Sequence, residues 1–586
     1  MFFDYFKFIL NTPYTNNPQL VFCGHTLSKS LHSTAHSSTK IMNIFFYKFV
    51  YCPFFLLSSH LKPRKIVIMK YPIGIQTFEN LRKEGYVYID KSKLIYQLAN
   101  SGKYYFLSRP RRFGKSLLIS TLKAYFEGKK ELFEGLKIME LEKEWNRYPV
   151  LHLSLNNSKY TEPDHLANLL NEALSSWEDE YGRREVETSI ALRFKGIISR
   201  AVEKTGAMVV ILIDEYDKPL LNSIGNKELQ DDYRATLKEF YSVLKDQDAN
   251  IKFAMLTGVT KFGKVSVFSD LNNLKDISMD SRFYEICGMT EQEIRDNFES
   301  EVEALAERNR LTKDACYARL KENYDGYHFG ENCPGMYNPF SLLNTLDNRT
   351  FRDYWFETGT PTYLVELLQN AGYELGDLTK VQVDIDVLNS IDSASMDPIP
   401  VIYQSGYLTI ADYDPVFELY SLKYPNREVE RGFTRFLMPH YLPVKPTQTG
   451  SSIRDFVQDV QAGRAEQFMR RLEAFMAGGN YQIVGDEELY FHNAVYIIFR
   501  MMGFYVQAEY PTSDGRMDMI VQTSDYVYVF EFKIDRSAEE ALTQIDKKGY
   551  ADQFAHDKRK LFKIGVNFSS ETRKISEWKI VERKEN

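Results

Sequence analysis

Short, nearly continuous apolar runs separated by polar stretches of helical spacing dominate the chain after residue 100. They lie at 104–107 (YYFL), 150–155 (VLHLSL), 208–213 (MVVILI) and 251–257 (IKFAMLT). Runs of this kind are strands buried on both faces, and their alternation with helices predicts a parallel sheet in an α/β domain. From 286 to 450 the pattern loosens into aromatic and turn-forming segments such as ENYDGYHF, YNPFSLL and YWFETGTPTYLVELL. A helix opens that region, with Thr290 and Glu293 at capping-box spacing, and a helical lid or middle domain is expected. An amphipathic stretch over 452–478 predicts one further helix ending at Gly478-Gly479. Beyond it comes a helix over Glu487–Met502, and then the period changes to two, as in strands exposed on one face. No repeat of fixed period is evident.

Residues 1–68 differ from everything after them. Two aromatic clusters (MFFDYFKFIL and IFFYKFVYCPFFLL) flank a polar stretch, and no acid follows Asp4. Lys48 and Pro53 interrupt the second cluster, leaving its apolar runs short of the roughly 18 residues a membrane span needs. The pattern favours translation from Met69 over a disordered tail or a membrane anchor, and no stable membrane association is expected. The expected organisation is therefore an atypical extension (1–68), an α/β domain (69–285), the helical middle domain (286–450) and a C-terminal α/β domain (451–586).

Composition narrows this only slightly. A chain of 586 residues with 44% hydrophobic content can form several cores, and its net charge of −7 excludes a uniformly basic nucleic-acid coat while leaving a local basic groove open. The five cysteines are scattered and form no pair with metal-ligand spacing, which fits a reducing cytoplasm without disulfides or zinc.

The first candidate chemistry sits where the run at 104–107 passes through a basic turn into a helix: KYYFLSRPRRFGKSLLISTLKAYF. In Arg112-Phe113-Gly114-Lys115-Ser116 the last three residues end a P-loop, whose backbone N–H groups cradle phosphates. Lys115 would reach the β and γ phosphates of ATP, and Ser116 would ligate Mg²⁺. Arg109 stands where the pattern wants a glycine, with Pro110 able to constrain the turn and Arg111 and Arg112 adding positive charge. A rival loop, Gly258 to Val265, matches both glycines and the lysine, but Val265 replaces Ser or Thr and no helical pattern follows. Phosphate needs the free N–H groups of a helix start, so the first loop is preferred. In LIDEYD an apolar strand delivers Asp214 for Mg²⁺ and Glu215 to polarise the attacking water. Asp217 and Lys218 are able to pair with each other and are given no role. In the rival loop, Thr257 or Thr260 is expected to sense the γ-phosphate and Lys261 or Lys264 to approach it.

The second candidate lies in GRMDMIVQTSDYVYVFEFKID, residues 515–535. A two-residue hairpin loop at Ser524-Asp525 would set Asp518 directly opposite Glu531, with Lys533 on the same face. Two carboxylates that close can share one hard divalent cation, and Lys533 would orient a nucleophile beside it, which is a phosphodiester-hydrolysing arrangement. The plain alternative is a surface salt bridge, but a charge inside VYVFEF is costly without a purpose.

With GR just before the aspartate, this D…EFK pattern resembles the PD-(D/E)XK nuclease superfamily, whose fold is a mixed sheet flanked by helices. Together with YPIGIQTFENL, YIDKS, SRPRRFGKS, LIDEYDKPL, TGVTKFGKVSVFSDLNNL, YDGYHF and YQSGYLTI, it is similar to a bacterial family pairing an AAA-ATPase-like domain with a C-terminal nuclease-like domain. The resemblance covers Met69 to the C-terminus. It implies ATP binding by Lys115, Ser116, Asp214 and Glu215, and metal binding by Asp518 and Glu531 with Lys533 catalytic. It also points to a further acid on the preceding helix, Glu487 in preference to Glu488, and to Gln544 near the site, whereas His492 is expected to be a satisfied or exposed polar residue. Lys547, Lys548, Lys558, Arg559 and Lys560 either meet phosphates or form a solvated face. The implied function is ATP binding and hydrolysis coupled to Mg²⁺-dependent cleavage of nucleic acid, DNA in the first instance. The alternative is a nucleotide-dependent switch whose C-terminal domain binds nucleic acid or protein without cleaving. Oligomeric state is open, with a homo-oligomer among the expectations.

Overall fold

The computed structural model describes residues 69–261, 273–356, 363–389, 391, 397–442, 449–477, 487–509, 512–513 and 516–583. The expectations for 1–68, Lys264, Val265 and Gly478-Gly479 lie outside the described residues, as do the side chains of Glu487, Glu488 and Asp518.

The apolar runs form a five-stranded sheet of β1 (Tyr104–Ser108), β2 (Val150–Ser154), β3 (Val209–Asp214), β4 (Ile251–Gly258) and β5 (Lys275–Asp276), in the order β2-β3-β4-β1-β5. Every pairing is parallel. Alternate residues enter separate cores: Tyr105, Leu107, Leu212 and Met255 lie in one, and Phe106, Ile211, Ile213 and Leu256 in the other. Burial on both faces is why these runs read as continuous rather than alternating. Helix α1 (Lys115–Phe126) follows β1. Helices α2 (Asp164–Tyr181), α3 (Ile190–Thr205) and α4 (Lys227–Asp246) supply apolar residues to the second core. The C-terminal ends of β1, β3 and β4 are neighbours, so Ser108, Asp214 and Gly258 converge at one edge.

The middle region opens with α5 (Glu291–Asn297), whose capping box of Thr290 and Glu293 is formed as expected. Helices α6 (Pro339–Asn348) and α7 (Arg427–Tyr441) follow in this region. The region also holds a small antiparallel sheet that the sequence reading did not name, of β6 (Gln382–Val383), β7 (Thr409–Asp414) and β8 (Leu419–Lys423). Its hairpin turn carries a left-handed Glu418 (φ 55) rather than a glycine, so the usual turn signal is missing.

The single helix expected over 452–478 is two, α8 (Thr449–Gln461) and α9 (Ala465–Ala477). Gly463 breaks it with φ 73, and a Cβ there would lie 2.5 Å from the Tyr526 ring. Helix α10 (Glu487–Met502) then leads into a six-stranded sheet of β9 (Gln507–Glu509), β10 (Thr512–Ser513), β11 (Arg516–Gln522), β12 (Tyr526–Ile534), β13 (Lys560–Ser569) and β14 (Lys574–Glu582). The sheet is mixed, with β12 parallel to β13 and antiparallel to β11. Phe468 of α9 and Phe499 of α10 pack on Phe530 at ring separations of 5.5 and 5.0 Å. Helix α11 (Ala538–Lys548) covers the opposite face through Ala541, Leu542 and Ile545. Among the described residues no helix is long and apolar enough to cross a membrane.

Candidate active sites

At the end of β1 the chain turns into α1 with Gly114 left-handed (φ 96) at the helix N-cap, and no side chain caps the first-turn N–H groups. Those groups remain available to an anion, where the helix dipole also favours one. A cavity of about 400 Å³ opens onto them, lined by Arg112, Phe113, Gly114, Lys115, Ser116 and Glu215. Ile73, Val87, Tyr88, Leu118 and Phe340 extend its wall as an apolar compartment. Lys115 is buried, and its Nζ donates to the carbonyls of Arg109 (2.9 Å) and Pro110 (3.0 Å). Burial lowers its pKa, while Glu215, Asp214 and Asp217 favour its charge.

Arg109 is more than a lost glycine. It is 1% exposed, donates to the carbonyls of Ser108 (2.9 Å) and Ser278 (2.7 Å), and lies 4.0 Å over the Phe329 ring. Phe113 is also buried, edge-on to Tyr327 at 4.7 Å and Phe329 at 5.4 Å. Arg112 is exposed, with its guanidinium 4.9 Å from the Phe340 ring.

Asp214 is buried, and its Oδ1 accepts from the Thr257 hydroxyl (2.7 Å) and the Glu215 N–H (3.1 Å). Glu215 adopts a left-handed backbone (φ 55) of the kind that costs energy and gathers at functional sites. Burial raises its pKa, against the pull of Lys115 and Lys218. Lys218 approaches Glu215 at 3.8 Å.

Three residues of the rival loop, Thr257, Thr260 and Lys261, are engaged by other protein groups. Thr260 is fully buried, and its N–H and hydroxyl both donate to Asp217 Oδ2 at 2.7 Å, so its hydroxyl serves Asp217 rather than a phosphate. Thr257 is committed to Asp214 in the same way. Lys261 is buried against Asp276 (3.0 Å) and Asn389 (2.6 Å). Asp217, given no role by sequence reasoning, is therefore the anchor of this loop; its signal was a third acid in LIDEYD at the end of the same strand.

In the C-terminal sheet, Asp518 on β11 is the register partner of Glu531 on β12, as the hairpin arithmetic requires. Glu531 is completely buried. Its Oε1 accepts from Lys533 Nζ at 2.6 Å, while its Oε2 has no hydrogen-bond partner among the described residues. Lys533 also donates to Gln544 Oε1 on α11 at 2.7 Å. A buried carboxylate oxygen without a donor is expensive unless a cation meets it, so the donor set suits a hard divalent ion. Among the described residues no group of three or more His, Cys, Asp or Glu side chains is assembled for a metal.

Two basic candidates are accounted for by local contacts. Arg559 binds Asp557, the Thr523 carbonyl (2.9 Å) and Gln522 Oε1 (2.8 Å), which fastens the hairpin turn. Lys560 pairs with Glu582 at 2.8 Å. His492 meets Glu374 at 3.5 Å, as a satisfied polar residue should.

A family model described as "Predicted AAA-ATPase" matches residues 72–268, and one described as "PD-(D/E)XK nuclease superfamily" matches 486–578. The chain is 37% identical over 517 residues to a protein of Azotobacter chroococcum mcd 1 named "Uncharacterized protein in vnfD 5'region", covering 86% of this chain and 98% of the relative. A solved structure, "Structure of the Aeropyrum Pernix ORC2 protein (ADPNP-ADP complexes)", matches 58% of this chain and 90% of its own at 12% identity and a TM-score of 0.21.

Proposed function

This chain belongs to the family that joins a predicted AAA-ATPase domain to a C-terminal PD-(D/E)XK nuclease-superfamily domain, and from that premise we propose that it is a nucleotide-controlled, Mg²⁺-dependent nuclease acting on DNA. The observation carrying the nuclease half is Glu531, wholly buried in an apolar strand opposite Asp518 and retaining an oxygen without a donor among the described residues. Asp518 and Glu531 would hold the metal. When bound, the ion supplies polarisation of a phosphoryl oxygen and a hydroxide at neutral pH. Lys533, fixed between Glu531 and Gln544, orients the nucleophile and offsets developing negative charge.

In the nucleotide half, the first turn of α1 and Lys115 bind the phosphates of ATP, with Phe113 and Gly114 shaping the loop and Arg112 at its rim. Ser116 and Asp214 would hold the Mg²⁺ of the nucleotide. Glu215 is the base that orients and deprotonates the attacking water, and its raised pKa suits that role. The apolar compartment beyond Leu118 takes the base. Control of one half by the other is supported by the joint between α7 and α10, where Glu430 pairs with Arg500 and Arg427 donates to the Phe504 carbonyl at 2.8 Å. Cytoplasmic residence fits the free thiols of Cys287, Cys316 and Cys333. A homo-oligomer is kept within the proposal.

The test is cleavage of single- and double-stranded DNA and RNA with Mg²⁺, with and without ATP. Asp518→Ala should lower cleavage at least about a hundredfold, and Lys115→Ala should abolish nucleotide binding and its effect on cleavage. Mg²⁺-dependent cleavage that survives Asp518→Ala would remove the nuclease assignment. The alternative switch, which binds without cutting, has one observation on its side: Lys533 already neutralises Glu531. Calorimetry that detects no Mg²⁺ or Mn²⁺ at Asp518 and Glu531 would favour it.

A further inference from the structure

Helix α7 lies in the middle region, yet its first turn reaches the nucleotide loop through two arms. Glu428 is 1% exposed. Its Oε1 accepts from the Trp355 backbone N–H at 2.8 Å and from the Ser341 hydroxyl at 3.0 Å. The Trp355 indole N–H in turn donates to the Arg111 carbonyl at 3.2 Å. Ser341 follows Phe340, whose ring lies 4.9 Å from the Arg112 guanidinium and lines the cavity. One buried carboxyl thus ties together the two aromatic side chains that meet successive arginines of the loop.

The remainder of the segment bearing Trp355 is seated on the same helix. Arg431, one turn beyond Glu428, donates from Nε to both carboxylate oxygens of Asp353 at 3.0 and 3.1 Å. A Cβ on Gly432 would fall 2.2 Å from the Phe356 ring, so only glycine admits this approach. Trp355 is therefore held from its backbone while its indole projects to the loop.

We propose that Glu428 is a positioning residue for nucleotide binding, setting the Trp355 indole and the Phe340 ring that brace Arg111 and Arg112. The assignment rests on the nucleotide-binding reading of the loop. Glu428 touches no phosphate in it and acts only through Trp355 and Ser341. Both of its hydrogen bonds are accepted by one oxygen, so a neutral amide can replace it. Burial pushes the Glu428 carboxyl up to about 8, opposed by its bonds to Trp355 and Ser341; Asp353 raises it further and Arg431 lowers it. At neutral pH glutamine is thus a close mimic.

The experiment is calorimetric titration of the full chain and its variants with a non-hydrolysable ATP analogue and Mg²⁺, alongside thermal melts. Glu428→Gln should bind within about twofold of wild type, and Glu428→Ala about tenfold more weakly. Trp355→Phe, which removes the indole donor together with part of the ring, should weaken binding severalfold and shows which part of the nucleotide-induced fluorescence change comes from Trp355. That part should persist in Glu428→Gln. Wild-type affinity in Glu428→Ala overturns the proposal, as does equal weakening in Glu428→Gln. If Glu428→Ala does not fold, wild-type affinity in Trp355→Phe overturns it instead. Failure of the wild-type chain itself to bind the analogue removes the nucleotide reading, a result distinct from binding that ignores Glu428.

Discussion

Arg109 occupies the position at which the general phosphate-loop pattern has glycine, and its surroundings explain why the chain departs from that pattern. Its guanidinium is desolvated, bonded to the carbonyls of Ser108, Ser278, Phe283 and Tyr284 and stacked on Phe329, and Lys115 in turn uses the Arg109 carbonyl. Burial pulls its pKa down to about 10, which leaves it charged at neutral pH. Arg109→Gly would restore the pattern on paper while leaving the Ser278 carbonyl without its donor and a void against Phe329. It should destabilise the chain by about 2–4 kcal/mol and weaken rather than strengthen binding of an ATP analogue. Denaturant unfolding and calorimetry measure the two effects. Tighter binding without loss of stability would mean that Arg109 is a dispensable substitution.

Among the elements, the break between α8 and α9 depends on one residue. Gly463 combines a left-handed backbone with the close approach of Tyr526 from the hairpin that carries Glu531. Gly463→Ala should therefore cost about 1–3 kcal/mol and disturb the C-terminal sheet, seen as a lower unfolding midpoint with nucleotide affinity retained. An unchanged midpoint would show that the turn relaxes freely. The same region shows what sequence can and cannot reveal. The pairing of Asp518 with Glu531 was legible because a two-residue loop and strict alternation leave a hairpin only one register, and α10 was legible from its sustained apolar stripe. The turn at Gly463 was missed because amphipathic spacing continues across it, and the reason for the glycine is a ring more than 60 residues away. Thr260 and Lys261 were assigned to phosphate because their loop matches a motif. Their partners Asp217, Asp276 and Asn389 come from other elements and become visible only once the fold brings them together.

Across the described residues, the candidate nucleotide loop and the C-terminal sheet share no residue, and α7 is one element that contacts the surroundings of both. Glu428 faces the segment braced on the loop, while Glu430 and Arg427 of the same turn hold Arg500 and the Phe504 carbonyl. Helix α10, which carries Arg500, packs Phe499 on Phe530, the neighbour of Glu531. Contiguity supplies a route but not a coupling energy, and only a thermodynamic cycle distinguishes the two. Arg500→Ala should leave analogue binding and nucleotide-free cleavage within about twofold of wild type while bringing the ratio of cleavage with and without ATP towards one. Because the contact is an ion pair, the exchange Glu430→Arg with Arg500→Glu should recover part of that ratio, which neither single change can do. A ratio identical to wild type in Arg500→Ala would exclude this joint as the carrier and move control to another contact between the middle region and the sheet. The Asn493 side chain, which accepts from the Leu375 N–H at 2.7 Å and donates to the Tyr373 carbonyl at 3.0 Å, would then be the next to test.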